Sequence, residues 1–281
     1  MRLVLGCVVV LLLGLGNCPA HATVVAHWTF DETTGTIAHD NVGTFDGTLQ
    51  GGAAFAPGSG IAGGAISFPY GLGGTVDMGD VLGFTSGDFS INAWVKTTRT
   101  DNLTFPIAKH WAGDVNGYAL GLNWGWGRGA TGLAYFFASA QIGGDPMSTT
   151  MVTDGQWHQV VGVYHAGGNR EIYVDGAPAE DTKLSVPVIG NSAHLCVGGV
   201  SSGGSPWNLY EGLIDDVQIY DHALTSNEVQ WLYEHPGLTL VIARVPSLSG
   251  VGLLGLTVVL ILLGALVIVR RTARSTHVGV A

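Results

Sequence analysis

Basic residues and cysteine are both scarce in this sequence. It has 11 Lys and Arg against 21 Asp and Glu among 281 residues, a formal net charge of -10. Phosphate binding requires clustered Lys and Arg, so nucleic acid is not an expected partner. The three cysteines are Cys7, Cys18 and Cys196. The first two precede the domain, so we expect Cys196 to pack as a small apolar residue with no disulfide partner.

Charge of both signs is low, whereas glycine and aromatic residues are abundant. Charged residues make up 11% of the chain, compared with about 25% in average soluble domains. The sequence has 44 Gly, 8 Trp, 8 Tyr and 9 Phe. This many aromatic residues indicates a packed core and argues against intrinsic disorder.

The N-terminal 22 residues are predicted to be a secretory signal peptide. Arg2 precedes an uncharged apolar run at 3–16, and Ala20-His21-Ala22 provides small residues for signal peptidase, with cleavage after Ala22. One alternative is an uncleaved anchor, although the run is short for about 30 Å of hydrocarbon. Another is a lipoprotein modified at Cys18, for which Asn17 is a poor preceding residue.

A second apolar segment, residues 251–269, is predicted to be a transmembrane helix. Its 19 positions carry no charge and at 1.5 Å per residue span roughly 28 Å. A basic tail at 270–281 follows, and by the positive-inside rule we expect it in the cytoplasm. The membrane-flanking arginines are Arg270, Arg271 and Arg274. All 21 acids but only seven of the 11 basic residues lie within 23–244, so the exported part is strongly acidic.

The segment 238–250 is predicted to be a linker with a short Pro-containing motif. The motif consists of Val245, Pro246, Ser247, Leu248 and Ser249. A motif of this kind, a membrane span and an Arg cluster together resemble the exosortase-type sorting tails of Gram-negative bacteria. This VPSLS is closer to the IPTL-CTERM class than to PEP-CTERM. The resemblance implies cleavage by an exosortase-like protease and release to the cell surface or matrix; the alternative is a permanent membrane anchor.

Residues 23–237 have the pattern of an all-β domain. Apolar and polar residues alternate at 24–30 and 89–96, which indicates half-buried strands. Further short strands are predicted at 64–68, 74–78, 117–122, 132–138, 157–164, 170–174, 194–198 and 211–220. Many short strands with Gly-rich turns favour a sandwich of antiparallel sheets. One helix is predicted after Thr225, which forms a capping box with Glu228, and Pro236-Gly237 ends it. We expect this helix to pack on the edge of the sandwich.

Four ordered motifs of this domain resemble laminin-G-like, concanavalin A-like jelly rolls. They are V-A-H-W-T-F-D-E (25–32), F-S-I-N-A-W-V (89–95), D-G-Q-W-H-Q-V-V (154–161) with E-I-Y-V-D-G (171–176), and Y-E-G-L-I-D-D-V-Q-I-Y-D-H-A-L-T (210–225). The resemblance implies two stacked antiparallel sheets and, in many members, binding of carbohydrate or protein.

The same fold also includes glycosidases, whose catalytic residues follow a recognisable sequence pattern. Retaining enzymes of this shape carry E-x-D-x-x-E on one strand, which places two carboxylates about 5 Å apart. This chain has no such run and no H-E-x-x-H. The nearest acid pairs are Glu180-Asp181 and Asp215-Asp216, and neighbours on a strand point to opposite faces. We therefore predict a protein without enzymatic activity; the alternative is a glycan hydrolase of the same fold.

A structural calcium ion is the one cofactor that the resemblance implies. Members often hold calcium between the first loop and the closing strand, which by position correspond here to Asp40, Asp216, Asp215 and Asp31. Calcium prefers six to eight oxygen ligands, including carboxylates and backbone carbonyls. The alternative is that these carboxylates accept hydrogen bonds from backbone N–H groups in turns.

Aromatic residues in a Gly-rich segment are the candidate ligand site. The predicted residues are Trp124 and Trp126, which could stack on a sugar ring, and Asn123 and Arg128, which could bind its hydroxyl groups. Further candidates on predicted loops are Trp111, Tyr118, Trp207 and Tyr210. The alternative is that these aromatic residues belong to the core.

The sequence thus predicts an exported module that binds extracellular polysaccharide or a surface protein. A purely membrane-anchored, protein-binding adhesion domain is the other non-enzymatic possibility.

Overall fold

The described part of the chain consists almost entirely of β-strands. The computed structural model describes residues 24–110, 116–124, 130–138, 144–179, 181–201 and 205–240. The first nine strands are β1 (Val24–Trp28), β2 (Ile37–Ala38), β3 (Gly47–Gly51), β4 (Ala54–Phe55), β5 (Ile66–Phe68), β6 (Gly74–Asp77), β7 (Phe89–Lys96), β8 (Thr104–Lys109) and β9 (Tyr118–Trp124). The remaining elements are β10 (Ala130–Ala138), β11 (Met147–Met151), β12 (His158–Tyr164), β13 (Asn169–Val174), β14 (Ala177–Pro178), β15 (Lys183–Leu184), β16 (Cys196–Val197), β17 (Gly212–Tyr220) and the helix α1 (Ser226–Glu234).

The strands form two antiparallel sheets, which confirms the predicted jelly-roll sandwich. The nine-stranded sheet has the order β14-β13-β12-β7-β17-β5-β4, with β1 paired to β17 and β15 paired to β13. The eight-stranded sheet has the order β11-β10-β9-β8-β16-β6-β3-β2. Strands distant in sequence are neighbours in both sheets, so loops from separate parts of the chain meet at the same end of the sandwich.

The main core lies between the sheets and follows the period-two alternation. On β7, the side chains of Phe89, Ile91, Ala93 and Val95 are buried in one apolar cluster. Gly162 on β12 permits close packing in this core, because the ring of Phe136 occupies the space that a Cβ atom would take. Burial of such alternating apolar side chains is the main favourable contribution to folding.

A second apolar layer covers the outer face of the nine-stranded sheet. The capping box between Thr225 and Glu228 is present, as predicted. The side chains of Val229 and Leu232 pack with Val161, Val163, Tyr173, Tyr220 and Leu224 of the domain. The ring of Tyr233 stacks on Trp94 of β7, 5.6 Å between centroids. The helix therefore covers a face of the sheet and does not lie at the edge of the sandwich.

The chain after the helix extends this outer layer. The carbonyl of Leu238 accepts a hydrogen bond of 3.1 Å from Gln218 Nε2, and Leu240 packs against the second apolar cluster. These residues begin the segment that was predicted to be a linker. Its first three residues thus belong to the domain.

The terminal segments predicted for export, sorting and membrane anchoring lie outside the described residues. These are the signal peptide 1–22, the motif 245–249, the span 251–269 and the tail with Arg270, Arg271 and Arg274. Within the ranges that the structure covers, α1 is too short and too polar to cross a membrane, and no longer helix is found there.

Candidate functional site

An open cleft lies at the end of the sandwich where β5 and β7 terminate and β17 begins. Two adjoining cavities of about 560 Å³ and 720 Å³ form it, and both are lined by Arg99 and Glu211. The loops that follow β5 (69–73) and β7 (97–103) form its walls, together with the segment before β17 (205–211). We call this feature the Arg99 cleft.

Backbone conformation explains how the walls of the cleft are built. Gly71 and Gly73 both adopt positive φ, 71° and 60°, so the loop after β5 turns back on itself without strain. Gly212 has a φ of 133° and approaches the carbonyl oxygen of Lys96 so closely that a Cβ atom would collide with it. Glycine at these positions lets the loop and the two strands meet at the cleft.

The charged groups of the cleft form one ion-pair network around Arg99. Its Nη1 pairs with Glu211 Oε1, and its Nε donates to Asp101 Oδ1 at 2.8 Å. Burial opposes the charge of Arg99, but the hydrogen bonds to Asp101 and Glu211 outweigh this effect and raise its pKa. The hydrogen bond from Arg99 in turn lowers the pKa of Asp101. The two contacts fix the guanidinium between the two cavities.

Aromatic and apolar side chains line the same cleft. The ring of Tyr70 is 82% exposed, and the guanidinium carbon of Arg99 lies 5.7 Å from its centroid. Trp207 lines the larger cavity and packs edge-on against Phe105, 6.3 Å between centroids. Leu72 is also exposed beside Tyr70. Thr97, Thr98 and Thr100 line the same cavity as Tyr70. An exposed ring beside such hydroxyl groups suits a ligand with one apolar face and several hydroxyl groups.

The predicted ligand residue Asn123 has a different position from the one expected. Its side chain is buried, its Nδ2 donates to the Arg99 carbonyl at 2.9 Å, and its Oδ1 accepts from Gly132 N at 2.7 Å. The amide therefore holds the loop after β7 in place and does not face a ligand. It connects the end of β9 to the loop after β7 and to Gly132 of β10.

The other predicted ligand residues have four different outcomes. The backbone of Trp124 pairs with Ala130 at the end of β9, whereas Trp126 and Arg128 lie outside the described residues, as does Trp111. Tyr118 and Tyr210 are buried in the core, so they are not ligand residues. Trp207 lines the larger cavity of the cleft and forms an isolated bridge with Val200; its role in ligand binding stays a prediction. Sequence reasoning missed Arg99 and Tyr70, which lie in none of the four motifs, and Glu211, which lies in the 210–225 motif but was not singled out there.

The four carboxylates proposed for calcium are occupied by hydrogen bonds from the protein itself. Asp40 Oδ1 accepts from the N–H groups of His27, Val42 and Gly43 at 2.9–3.1 Å, and its Oδ2 accepts from Phe45 N. Such a carboxylate has few lone pairs left for a cation. This arrangement matches the alternative in which the acids satisfy backbone groups of turns.

The remaining three carboxylates are also bound by backbone or side-chain donors. Asp31 Oδ1 accepts from Gly64 N, and Asp215 Oδ2 accepts from Ile61 N and Ala62 N. Asp216 accepts from Gln218 Nε2 and Gly237 N. Across the described ranges, no three His, Cys, Asp or Glu side chains converge as ligands of one ion. The donor set does not fit calcium.

The neighbouring acids Asp215 and Asp216 do not simply alternate along β17. A bulge interrupts the register between Asp215 and Gln218, and Asp216 has a φ of 47°. Burial, together with the nearby Asp216 charge, raises the pKa of Asp215 to about 7 against the opposing hydrogen bond from Ala62 N. The pair is buried in the sandwich, away from the Arg99 cleft.

One short serine motif also proves to be structural. Residues 199–203 have the spacing G-x-S-x-G, which in α/β-hydrolases exposes a nucleophilic Ser on a strand-to-helix turn. Here Ser201 is buried and forms an antiparallel bridge with His194. The spacing is therefore met without the exposed geometry that such a nucleophile requires.

Fold and sequence together define the class of this protein. Residues 71–230 match the family Laminin_G_3, described as the concanavalin A-like lectin/glucanases superfamily. The chain belongs to this family. It matches no curated protein.

Solved structures with the same fold include a domain of an arabinanase, the binding domain of a mosquitocidal protein and a sialidase. Domain 4 of AbnA, a GH43 extracellular arabinanase from Geobacillus stearothermophilus, in complex with arabinotriose, is 25% identical with a TM-score of 0.58. The match covers 76% of this chain and 100% of that chain. The binding domain of Paraclostridial Mosquitocidal Protein 1 is 15% identical with a TM-score of 0.54, covering 75% of this chain and 51% of that one. A sialidase from Trypanosoma rangeli is 17% identical with a TM-score of 0.53, covering 75% and 32%.

Proposed function

We propose that this protein is a non-catalytic module that binds extracellular carbohydrate in the Arg99 cleft. The observation that carries the proposal is the exposed ring of Tyr70 beside a fixed guanidinium in an open cleft. Aromatic rings bind the apolar faces of sugars, and positioned polar groups bind the hydroxyls. The match to domain 4 of AbnA covers all of that domain and 76% of this chain. Because that domain was solved with arabinotriose, the match supports the same ligand class.

The polar groups of the cleft suit hydroxyl-rich ligands. Thr97, Thr98 and Thr100 line the smaller cavity, and each hydroxyl can both donate and accept a hydrogen bond. Asn208 lines the larger cavity with a positive φ of 48°. Two adjoining cavities of this size accommodate more than one sugar unit, because a drug-sized ligand occupies a pocket of roughly 300–1,000 Å³.

The module acts outside the cytoplasm in this proposal. The leader 1–22 directs export, the span 251–269 holds the chain in the membrane, and the motif 245–249 marks it for an exosortase-like protease. N-terminal sequencing of the exported protein, with Thr23 as the expected first residue, tests the export step. A chain that retains Met1 would contradict it.

The binding proposal is tested with a glycan array that includes arabinan and arabinotriose. We expect Tyr70→Ala to weaken binding about tenfold, since loss of one stacking contact costs about 1–1.5 kcal/mol. Leu184→Ala is the matched control, because Leu184 is as exposed as Tyr70 but lies on β15, outside the cleft. Equal binding by Tyr70→Ala and wild type would place the site elsewhere.

The segment after Asn123 is tested in the same experiment. A Trp124→Ala/Trp126→Ala double variant and an Arg128→Ala variant report whether the originally predicted residues contribute. Loss of binding in these variants, with Tyr70→Ala unaffected, would assign the site to that segment. Binding to no glycan by wild type would contradict the carbohydrate proposal and favour a protein ligand.

A further inference from the structure

The Arg99 cleft contains one cation and two carboxylates among its described lining residues. Arg99 is positively charged, whereas Asp101 and Glu211 are negatively charged. The described lining of both cavities therefore has an excess of one negative charge. The part of the chain around it, residues 23–244, contains all 21 acids and only seven basic residues.

Hydrogen bonds within the protein already occupy the guanidinium of Arg99. Nη1 pairs with Glu211, and Nε donates to Asp101. The Asn102 amide is oriented so that its nitrogen donates to the Asp101 carbonyl at 3.1 Å. In this orientation Arg99 Nη2 donates to the Asn102 side-chain oxygen at 2.6 Å. Three of the five N–H donors of Arg99 are therefore used within the protein, so a carboxylate ligand would have to compete with Asp101 and Glu211 for this cation.

Glu211 lies where such displacement is most unfavourable. Its side chain is 14% exposed, its Oε1 also accepts from Gly71 N at 3.2 Å, and its Oε2 is buried without a hydrogen-bond partner. Separating Arg99 from this carboxylate would leave a largely buried negative charge uncompensated, which is strongly destabilising. An incoming anion would therefore meet a like charge, and the described lining residues offer it no unpaired cation.

We propose that the Arg99 cleft selects uncharged oligosaccharides and rejects glycans that contain uronic or sialic acids. This inference rests on the proposed function and specifies its ligand class. Selectivity comes from charge repulsion against acidic sugars, because stacking and hydroxyl contacts are available to both classes. Placing like charges together is an effective means of discriminating between otherwise similar ligands.

The test compares two forms of one polymer that differ in charge. Galacturonan is used in its methyl-esterified, neutral form and in its de-esterified, acidic form, with arabinan and alginate as a second neutral and acidic pair. Binding is measured by affinity electrophoresis and calorimetry at 20 mM and 150 mM salt. We expect wild type to bind the neutral member of a pair at least tenfold more tightly, with the larger difference at low salt because screening is weaker there.

A double variant that releases Arg99 gives the sharper result. Asp101→Asn/Glu211→Gln removes both carboxylates and leaves Arg99 as an unpaired cation. We expect binding of the acidic glycan to increase at least tenfold in this variant, and to weaken again at high salt. The control is Asp181→Asn/Glu234→Gln, which makes the same change in net charge outside the cleft; we expect no gain of acidic-glycan binding.

The outcomes separate this inference from the proposed function. Tighter binding of wild type to the acidic forms, lost in Tyr70→Ala, would overturn the inference and retain carbohydrate binding in the cleft. An equal gain in the control variant would also overturn it, because net charge alone would then explain the effect. Binding to no glycan, neutral or acidic, would contradict both.

Discussion

His27 and Asp216 form a buried pair, with 2.7 Å between Nε2 and Oδ1. His27 lies on β1 and Asp216 at the bulge of β17, so the pair joins the first strand of the described domain to the closing strand. Asp216 Oδ2 also accepts from Gly237 N at 2.8 Å. One carboxylate thus connects β1, β17 and the chain that follows the helix.

Removal of this carboxylate is predicted to destabilise the domain strongly. In Asp216→Ala, the buried acceptor of His27 Nε2 and Gly237 N is lost, which leaves polar groups unsatisfied, and Gln218 Nε2 keeps only its bond to the Leu238 carbonyl. We expect the free energy of unfolding to fall by about 3 kcal/mol, measured by urea denaturation. Asp181→Ala is the control, because Asp181 forms a half-exposed pair with Lys183 and such pairs contribute about 0–1 kcal/mol. Equal losses in the two variants would refute a special role for Asp216.

His158 gives the domain a pH-dependent contribution to stability. Its Nδ1 lies 2.8 Å from Asp175 Oδ2 and its Nε2 lies 3.0 Å from Asp154 Oδ1. The hydrogen bond to Asp175 is the largest cause that raises the pKa of His158; burial opposes it and Asp154 adds to it. A raised histidine pKa means that this contribution is fully present below the unfolded value of about 6.5 and is lost as pH rises through the folded value.

We therefore expect His158→Gln to reduce the decline in Tm between pH 6 and pH 9. The measurement is thermal unfolding of wild type and variant across that range. His39→Gln is the matched control, because His39 pairs with Asp46 at 3.0 Å but both side chains are about half exposed. Parallel pH profiles for His158→Gln and wild type would contradict the prediction.

Calcium is predicted to have no effect on the thermal stability of the domain. The oxygens of Asp40 accept four backbone N–H groups, so binding an ion there would require those bonds to break. We expect the same Tm in EDTA and in millimolar calcium, with magnesium as the control ion. A Tm that rises with calcium concentration and saturates would show binding to the folded state and contradict the prediction.

Much of the fold could be predicted from local pattern. Alternation at 89–96 predicted the central strand β7, and the capping box at Thr225 fixed the start of α1. Strand β8 was missed, because its six residues are all buried and include Pro106, so it has neither alternation nor typical strand composition. The position of α1 over the face of the sheet was also missed, since its contacts with Val161 and Tyr173 are long-range.

The candidate site was much less predictable. The sequence drew attention to Asn123 because it begins a Trp- and Gly-rich segment, yet its amide is buried and bound to the Arg99 carbonyl. Arg99 and Tyr70 lie outside the four family motifs, Glu211 lies within the 210–225 motif without a predicted role, and the three residues are far apart in the chain. They meet because β5, β7 and β17 are hydrogen-bonded neighbours in one sheet.

The sequence alone determined the strand content, the family resemblance and the acidic character of this chain, because these depend on local periodicity and composition. Only the tertiary structure decided which acids are occupied by backbone donors and which loops form a cleft. Jelly-roll topology pairs strands that are distant in sequence, so the contacts of Asp215 with Ile61 and Ala62, and of Arg99 with Glu211, come from strand pairing that local sequence does not encode.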